Sequence, residues 1–446
     1  MPSIKNLAIR GTIWTLLGYG SGQLLRFGSN VILTRLLVPE MFGLMSLVNV
    51  FIMGLELFSD IGIGPSIIQN QRGEDPDFLN TAWTIQVIRG FGLWVCSFLI
   101  ARPVASFYDN EQLLWLIPIV GFTTVIAGFN STSLFTLNRK IALGKLTIFE
   151  LVVQVTQLVL MSLWAYFNPS IWALVAGAIV SKLLKMVWSH WLVPGERNSL
   201  AWDSQAIREL LSFGRWIFIS TVMMFLATQA DRLILGKIFP LELLGVYTVA
   251  FTFADLPKQV GSKVSHKVIF PVFSQFTELP REKLRRKLLP KRKTMLMALA
   301  IFLTLLVSFG DLLILSLYDK RYTDAAWMLP LLALGIWPIV LYMATNPLLL
   351  AIGKPIYGAV GNSLKLLYML IAVPIFYDLM GNLGAIIAIA LNDLPNYGAV
   401  TYGMWREQLT TIRQDLLLSA LLIGLITLVC TGRYFLGFGL PIDGIF

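Results

Sequence analysis

The stretch Asn30-Val31-Ile32-Leu33-Thr34-Arg35-Leu36-Leu37-Val38-Pro39-Glu40-Met41-Phe42-Gly43 joins two long apolar runs through a tight turn. Proline presets φ and suits the first position of a helix, so Pro39 reads as the opening of a new helix. A related stretch returns about 200 residues later, at the scale of a repeated half: Asp231-Arg232, Gly236, Pro240, then Gly245-Val246-Tyr247. Asn30 and Asp231 stand equally far before their prolines, and the spacing to the glycines differs by one residue. The simpler alternative is that proline and glycine are common at helix ends. The matching context on both sides favours an internal repeat.

Outward from these turns, apolar runs follow one another almost without pause. Of 446 residues, 56% are hydrophobic and 13% charged, and the mean hydropathy is +0.73. A soluble domain carries about 25% charged residues. There is too little polar surface here to clothe a water-soluble globule. In lipid every backbone group must be paired within the protein, which leaves helices or closed barrels. Barrel strands alternate polar and apolar over about ten residues. These runs are long and mostly apolar, so helices are expected at 11–37, 41–65, 80–101, 112–137, 146–167, 170–193, 211–238, 241–270, 291–317, 325–351, 358–379 and 382–404. A last run, 415–437, stands apart.

The expected fold is an all-α polytopic membrane protein. Two six-helix bundles, 1–193 and 211–404, flank a cytoplasmic linker at 194–210 and are related by a pseudo-two-fold axis along the membrane normal, with a path between them. The run 415–437 adds a further helix whose crossing, and so the side of the C-terminus, stays open. The first run is too long for a signal-peptide core, so it reads as the first span. Cys96 and Cys430 fall in apolar runs and suggest neither disulfide nor metal framework.

Loop charges orient the chain. Lys5 and Arg10, then Arg139, Lys140 and Lys145, then Arg197 and Arg208, fall on one side. The loop 271–293 adds Arg281, Lys283, Arg285, Arg286, Lys287, Lys291, Arg292 and Lys293, read as an anchor on anionic headgroups. The opposite side holds Arg102, Lys320 and Arg321. The positive-inside rule places the N-terminus in the cytoplasm. The net charge of +10 reflects these loops and not a nucleic-acid partner.

At the repeated turns the chain resembles the polysaccharide flippases (the Wzx type) of the multidrug, oligosaccharidyl-lipid and polysaccharide exporter superfamily. The family's turn is present as Arg35, Leu37, Pro39, Phe42 and Gly43, with Val38 where glycine is frequent. Arg139, Asp231-Arg232, Gly245 with Tyr247, Phe270-Pro271-Val272-Phe273-Ser274 and Gly353-Lys354-Pro355 match further family punctuation. The resemblance covers most of the chain and excludes the last run. It implies a bacterial inner-membrane carrier in which two bundles rock about a cavity. A sugar on its diphosphate crosses while the polyprenyl tail stays in lipid. The partners implied are polyprenyl-diphosphate-linked oligosaccharide, membrane lipids, and a polysaccharide polymerase with its export machinery. The alternative within the superfamily is an ion-coupled multidrug exporter.

Charges inside a bilayer are functional candidates by default. Arg26 lies midway along the first run beside Gly22, Gly18 and Ser29. Arg89 lies near the middle of the third, Lys365 in the inner third of the eleventh, and Arg232 toward the outer end of the seventh. A diphosphate must exchange water for fixed donors, and arginine's planar fork suits it. The competing reading is a buried ion pair or a snorkelling side chain. The cavity reading leads for Arg26 and Arg89, is even for Lys365, and trails for Arg232, which sits beside Asp231. On the second run Ser46, Asn49, Glu56, Asp60 and Gly64 share one helical face; on the eighth Thr248, Thr252, Asp255 and Gln259 do. Glu56, Asp60 and Asp255 are cavity acids able to bind a coupling proton or sodium ion. Otherwise Glu56 neutralises Arg26 or Arg89. Glu150, Gln154 and Gln157 line one face of the fifth run, and Asn392, Asp393, Pro395 and Asn396 mark a kink in the twelfth. His190 and His266 lack metal-ligand spacing. No catalytic constellation, cofactor motif or phosphate-binding glycine loop appears, so an enzyme is not expected.

Overall fold

The computed structural model describes residues 4–60, 62–140, 142–193, 198–265 and 280–445. Arg197, His266 and the stretch 270–274 lie outside them. The described residues are helical, with no strand among them, as pairing of the backbone within lipid requires. Eight of the described helices are long and apolar enough to cross a membrane, or nine if one bent pair counts as a single span. The chain separates into two compact units, Met1–Phe225 and Leu226–Phe446.

Unit 1 contains α1 (Ile4–Leu36), α2 (Pro39–Phe58), α3 (Ile63–Gln69), α4 (Pro76–Phe107), α5 (Gln112–Gly128), α6 (Ser133–Arg139), α7 (Leu143–Phe167) and α8 (Ile171–Ser189). It also takes the first part of α9 (Ser204–Ile238). The turn read from the sequence is there, with Pro39 opening α2 after the extended Val38. The run 41–65 is not one helix, however. Asp60 Oδ1 accepts the Gly62 N–H at 2.9 Å. Gly62 takes φ 70°, a conformation that glycine reaches without a Cβ clash. Glu56 therefore does not share one continuous helical face with Asp60 and Gly64, because the chain breaks between them. The run 112–137 likewise becomes α5 and α6, bent by 59°.

Each break leaves carbonyls that need donors. Arg89 Nη2 donates to the Glu56 carbonyl and its Nε to Ser59 Oγ at 2.8 Å, closing the end of α2. Arg139 Nη1 donates to the carbonyls of Ile67, Ile68 and Asn70 at 3.0, 2.9 and 2.6 Å, closing α3.

The segment 198–203, within the expected linker 194–210, is fastened to unit 1. The Ser199, Ala201 and Asp203 N–H groups donate to Asn80, Thr84 and Thr81, each at 3.0 Å. Arg72 bridges Asp75 at 2.8 Å and Asp203 at 2.6 Å. Its hydrogen bond lowers the Asp203 carboxyl below the usual range, and the same bond raises the guanidinium.

Unit 2 takes the rest of α9, then α10 (Leu241–Ala254), α11 (Leu256–Val264), α12 (Arg281–Leu317), α13 (Asp324–Gly335), α14 (Trp337–Met343), α15 (Asn346–Ala351), α16 (Ile356–Ala390), α17 (Leu394–Arg406) and α18 (Ile412–Phe435). The run 325–351 splits at Pro338 and Pro347, each at a helix start. Gly381, at φ 60°, interrupts α16 between the eleventh and twelfth expected runs. The basic stretch 281–293, expected as loop, is the start of α12. Leu284 and Leu288 pack with Leu348, Leu349, Val400 and Met404, while Lys283, Arg286, Lys291 and Lys293 are exposed. Arg292 is wholly buried and is no headgroup anchor.

Arg292 is one of two buried staples between α12 and α18. It meets Asp415 at 2.5 Å and donates to Gln414 and to the Leu341 carbonyl. At the far end Arg433 grips Asp311 with both terminal nitrogens. The intervals Arg292–Asp311 and Asp415–Arg433 match to within a residue. At 1.5 Å per residue each covers about 28 Å, the thickness of a hydrocarbon core. The two helices therefore run parallel and in register, and α18 ends beside the end of α12.

Three outcomes follow. Single cysteines at positions 320 and 440, in a chain with Cys96 and Cys430 replaced by serine, should react with an impermeant thiol reagent from the same side of the membrane. Labelling from opposite sides would refute the parallel pairing. Asp415→Leu should destabilise unit 2 by about 3–5 kcal/mol, because it strands Arg292, whereas Asp415→Leu with Arg292→Met should lose far less in thermal unfolding. At Asp203, a depressed carboxyl contributes stability above its unfolded pKa of about 4 that disappears as pH falls through the folded value. Hydrogen exchange at 198–203 should therefore be faster in Asp203→Asn than in the native chain at pH 7, with the difference closing in acid.

Candidate functional site

Two polar cavities lie among the described residues of unit 1. The first, of about 620 Å³, is lined by Arg26, Ser29 and Asn30 of α1, Glu150, Gln154 and Gln157 of α7, and Ser181, Lys182 and Lys185 of α8. It extends toward Leu33 and Leu174, near the end of α1 and the start of α8. The second, of about 530 Å³, is lined by Glu56, Asp60, Gln86, Arg89, Asn130 and Asn138. It extends toward Leu57 and Leu146, in the last turn of α2 and the first turn of α7. Glu150 and Lys185 line both.

Local sequence explains how these side chains come together. Gly18 and Gly22 let α7 approach α1 closely. A Cβ on Gly18 would stand 2.4 Å from Thr147 Cγ2, and Gln154 donates to the Gly22 carbonyl at 3.0 Å. That contact brings Arg26 and Glu150 to the same cavity. Gln86 spends its amide on the carbonyls of Ala127, Gly128 and Asn130, holding α4 to the bend after α5.

The cations differ in how far they are already engaged. Arg89 is half-committed, since it caps α2 while facing the second cavity. Arg26 is exposed to its cavity and makes a long 3.5 Å contact to Gln23. Lys182 lies 3.7 Å from Glu56. The expected partner of Glu56 was Arg26 or Arg89, but Arg89 takes its carbonyl, leaving the carboxylate for Lys182. Lys185 makes no hydrogen bond or ion pair among the described residues, and Glu150 and Glu56 act on it only at longer range. A cation without a partner in such a place stays solvated in a water-filled cavity or binds an anion.

Unit 2 gives a contrast. Its cavity, of about 70 Å³, is lined by Asp231, Lys258, Tyr342, Asn362, Lys365, Asn392 and Asp393. Lys365 meets Asp393 at 2.9 Å, and Tyr342 donates to the same carboxylate at 3.1 Å. Asn396 donates to Asn362 at 2.8 Å, so the polar kink of the twelfth run ties α14, α16 and α17 together. Asp255 meets Lys258 at 2.8 Å and Gln259 at 3.0 Å. Arg232 does not pair with its neighbour Asp231. It donates to Gln229 at 2.7 Å and lies 5.7 Å over the Phe251 ring, while Asp231 accepts from Tyr247 at 2.5 Å. Of the four cations singled out from the sequence, Arg26 and Arg89 thus line the unit 1 cavities, and Lys365 and Arg232 are engaged within unit 2.

Lys182 and Lys185 were missed. The signal was available: two lysines three residues apart in the otherwise apolar run 170–193, which put both on one helical face. His190 bonds the Phe129 carbonyl at 2.9 Å at the bend after α5.

Residues 32–327 match the profile of a family described as polysaccharide biosynthesis protein. Curated relatives include the teichuronic acid biosynthesis protein TuaB of Bacillus subtilis, 22% identical over 79% of this chain and 73% of that protein. The lipopolysaccharide biosynthesis protein WzxC of Escherichia coli is 22% identical over 64% of this chain and 57% of its own length. The succinoglycan biosynthesis transport protein ExoT of Rhizobium meliloti is 23% identical over 73% and 65%. The match thus spans less than two thirds of the last two. Among solved structures, the lipid II flippase MurJ in an inward closed conformation aligns with a TM-score of 0.66 at 13% identity, over 94% of this chain and 92% of that one. An inward-facing multidrug resistance transporter of the MATE family aligns at 0.64 and 14%, over 86% and 94%. The fold is that of these membrane transporters.

The buried pair of unit 2 generates a prediction. Asp393→Leu, which strands Lys365, should lower the thermal stability of the purified protein, and adding Lys365→Met should restore most of it. A double variant no more stable than the single one would assign Asp393 a role beyond neutralising Lys365.

Proposed function

The chain belongs to the polysaccharide biosynthesis protein family, and on that premise we propose that it flips a polyprenyl-diphosphate-linked oligosaccharide across the bacterial inner membrane. The N-terminus is cytoplasmic in this reading, and the cargo moves outward by alternating access. The repeated proline turn supports treating the two units as repeats of one six-span bundle.

The observation that carries the reading is Lys185, an ammonium without a described partner that faces both unit 1 cavities. Around it four cations, Arg26, Arg89, Lys182 and Lys185, stand against three carboxylates, Glu56, Asp60 and Glu150. That surplus suits a diphosphate, which exchanges water for charge-assisted hydrogen bonds worth about 1.5–3 kcal/mol each. The polar Gln154, Gln157 and Asn30 offer donors and acceptors to sugar hydroxyls. The superfamily's drug exporters handle cations, for which Glu56 would have to leave Lys182. Asp60 is spent on the Gly62 N–H, so a coupling proton or sodium ion would find its carboxylates at Glu56 and Glu150. A polymerase and export machinery would take up the flipped product.

In cells lacking this protein, mass spectrometry should find one complete oligosaccharide accumulating on its polyprenyl diphosphate, with loss of a surface glycan. The native gene should clear it. Lys185→Gln, present at native levels in the membrane, should restore less than about a tenth of the glycan, the scale of one lost charge-assisted hydrogen bond. Intact glycan without accumulation, together with new sensitivity to cationic drugs, would move the assignment to the exporter.

A further inference from the structure

The geometry points to a relay within unit 1: two anion subsites in series, with Lys185 shared between them. This rests on the flippase reading and specifies how the headgroup is handled. Three observations carry it. The cavities extend in opposite directions along the helices, one toward the ends of α2 and the starts of α7, the other toward the end of α1 and the start of α8. They share Glu150 and Lys185, so those side chains stand at the neck. The cations are divided between the cavities: Arg89 lines one, Lys185 lines both, and Lys182 (one turn from Lys185 on α8) and Arg26 line the other.

The step from Lys185 to Lys182 along α8 is short, since three residues rise about 4.5 Å. A diphosphate presents two linked anionic groups, so it can reach the next cation before releasing the last. Arg89 begins the series with part of its guanidinium already spent on α2. Lys185 is uncommitted and accepts the headgroup next. Lys182 must release Glu56 to bind, and Glu56 with Glu150 supplies the resident negative charge that keeps the neck neutral when no headgroup is present. A single deep cation trap would bind tightly and release slowly. A series of partly engaged cations lets the anion leave each in turn, the condition that conduction through multi-site pores also meets.

The ordering makes Arg26 a late contact. It should affect the completed crossing more than the first binding, which is how an interaction made only after the bound state is recognised. Arg26 is exposed and makes one long hydrogen bond, so its replacement leaves the fold intact.

The full chain, reconstituted in liposomes, is given a short-chain polyprenyl-diphosphate disaccharide with an NBD-labelled sugar. Flipping is read as protection from external dithionite, and binding as the equilibrium affinity of the same probe for the detergent-solubilised chain. Arg26→Gln should bind within about twofold of the native chain and flip roughly tenfold or more slowly; Lys185→Gln should lose both, and Lys185→Arg should recover both. Native flipping by Arg26→Gln, or equal losses of binding and flipping in that variant, would overturn the relay while leaving the flippase standing. A native chain that neither binds nor flips the probe would overturn the flippase reading, and the relay with it.

Discussion

The pairing of Arg292 with Asp415, and of Asp311 with Arg433, fixes the longest helix of unit 2 to the last one. A charge in hydrocarbon is expensive unless it is met by an opposite charge with its hydrogen bonds filled. Two such pairs, a bilayer's thickness apart, leave α12 and α18 a single register. A shift of one turn would strand four charges at once. The same rule governs Lys365 with Asp393 and Lys258 with Asp255. Unit 2 pairs these charges within itself.

Backbone pairing imposes the second constraint. Helices that end within an apolar layer expose carbonyls, and water is not there to satisfy them. Arg89 meets that need at the end of α2, and Gln86 and His190 meet it around the bend after α5. Broken helices therefore do not mark loose structure. They trade a run of backbone bonds for side-chain bonds, and they open polar space beside the break. The second cavity of unit 1 lies against the ends of α2 and α5, where this exchange takes place.

Much of this was legible in the sequence, and what was not has physical causes. Apolar runs long enough to cross and the proline turn at Pro39 follow from composition and helical spacing. Breaks were harder to read. The run 41–65 stays mostly apolar on both sides of the break, and whether Asp60 caps a break or lines a face depends on where Gly62 turns. Partners were hidden too, because ion pairs such as Arg292 with Asp415 join residues far apart in the chain. Arg292 looked like one more loop cation because seven others surround it in the stretch 281–293. Lys182 and Lys185 could have been found, since the rule that singled out Arg26 applies equally to them.

The contrast between the units then bears on how a carrier can hold an anion without keeping it. A fully paired cation offers nothing to a ligand, and a bare one in a dry interior would shed its charge or pull in water. Lys185 occupies the intermediate case: it faces water-accessible space, with Glu150 and Glu56 near enough to temper its field but not to bond it. On the proposed function, an incoming diphosphate would gain the ammonium without first breaking a buried pair, and the same two carboxylates would limit its hold. Partial compensation thus distinguishes Lys185, at the cavities of unit 1, from a structural salt bridge such as that of Lys365 with Asp393 in unit 2.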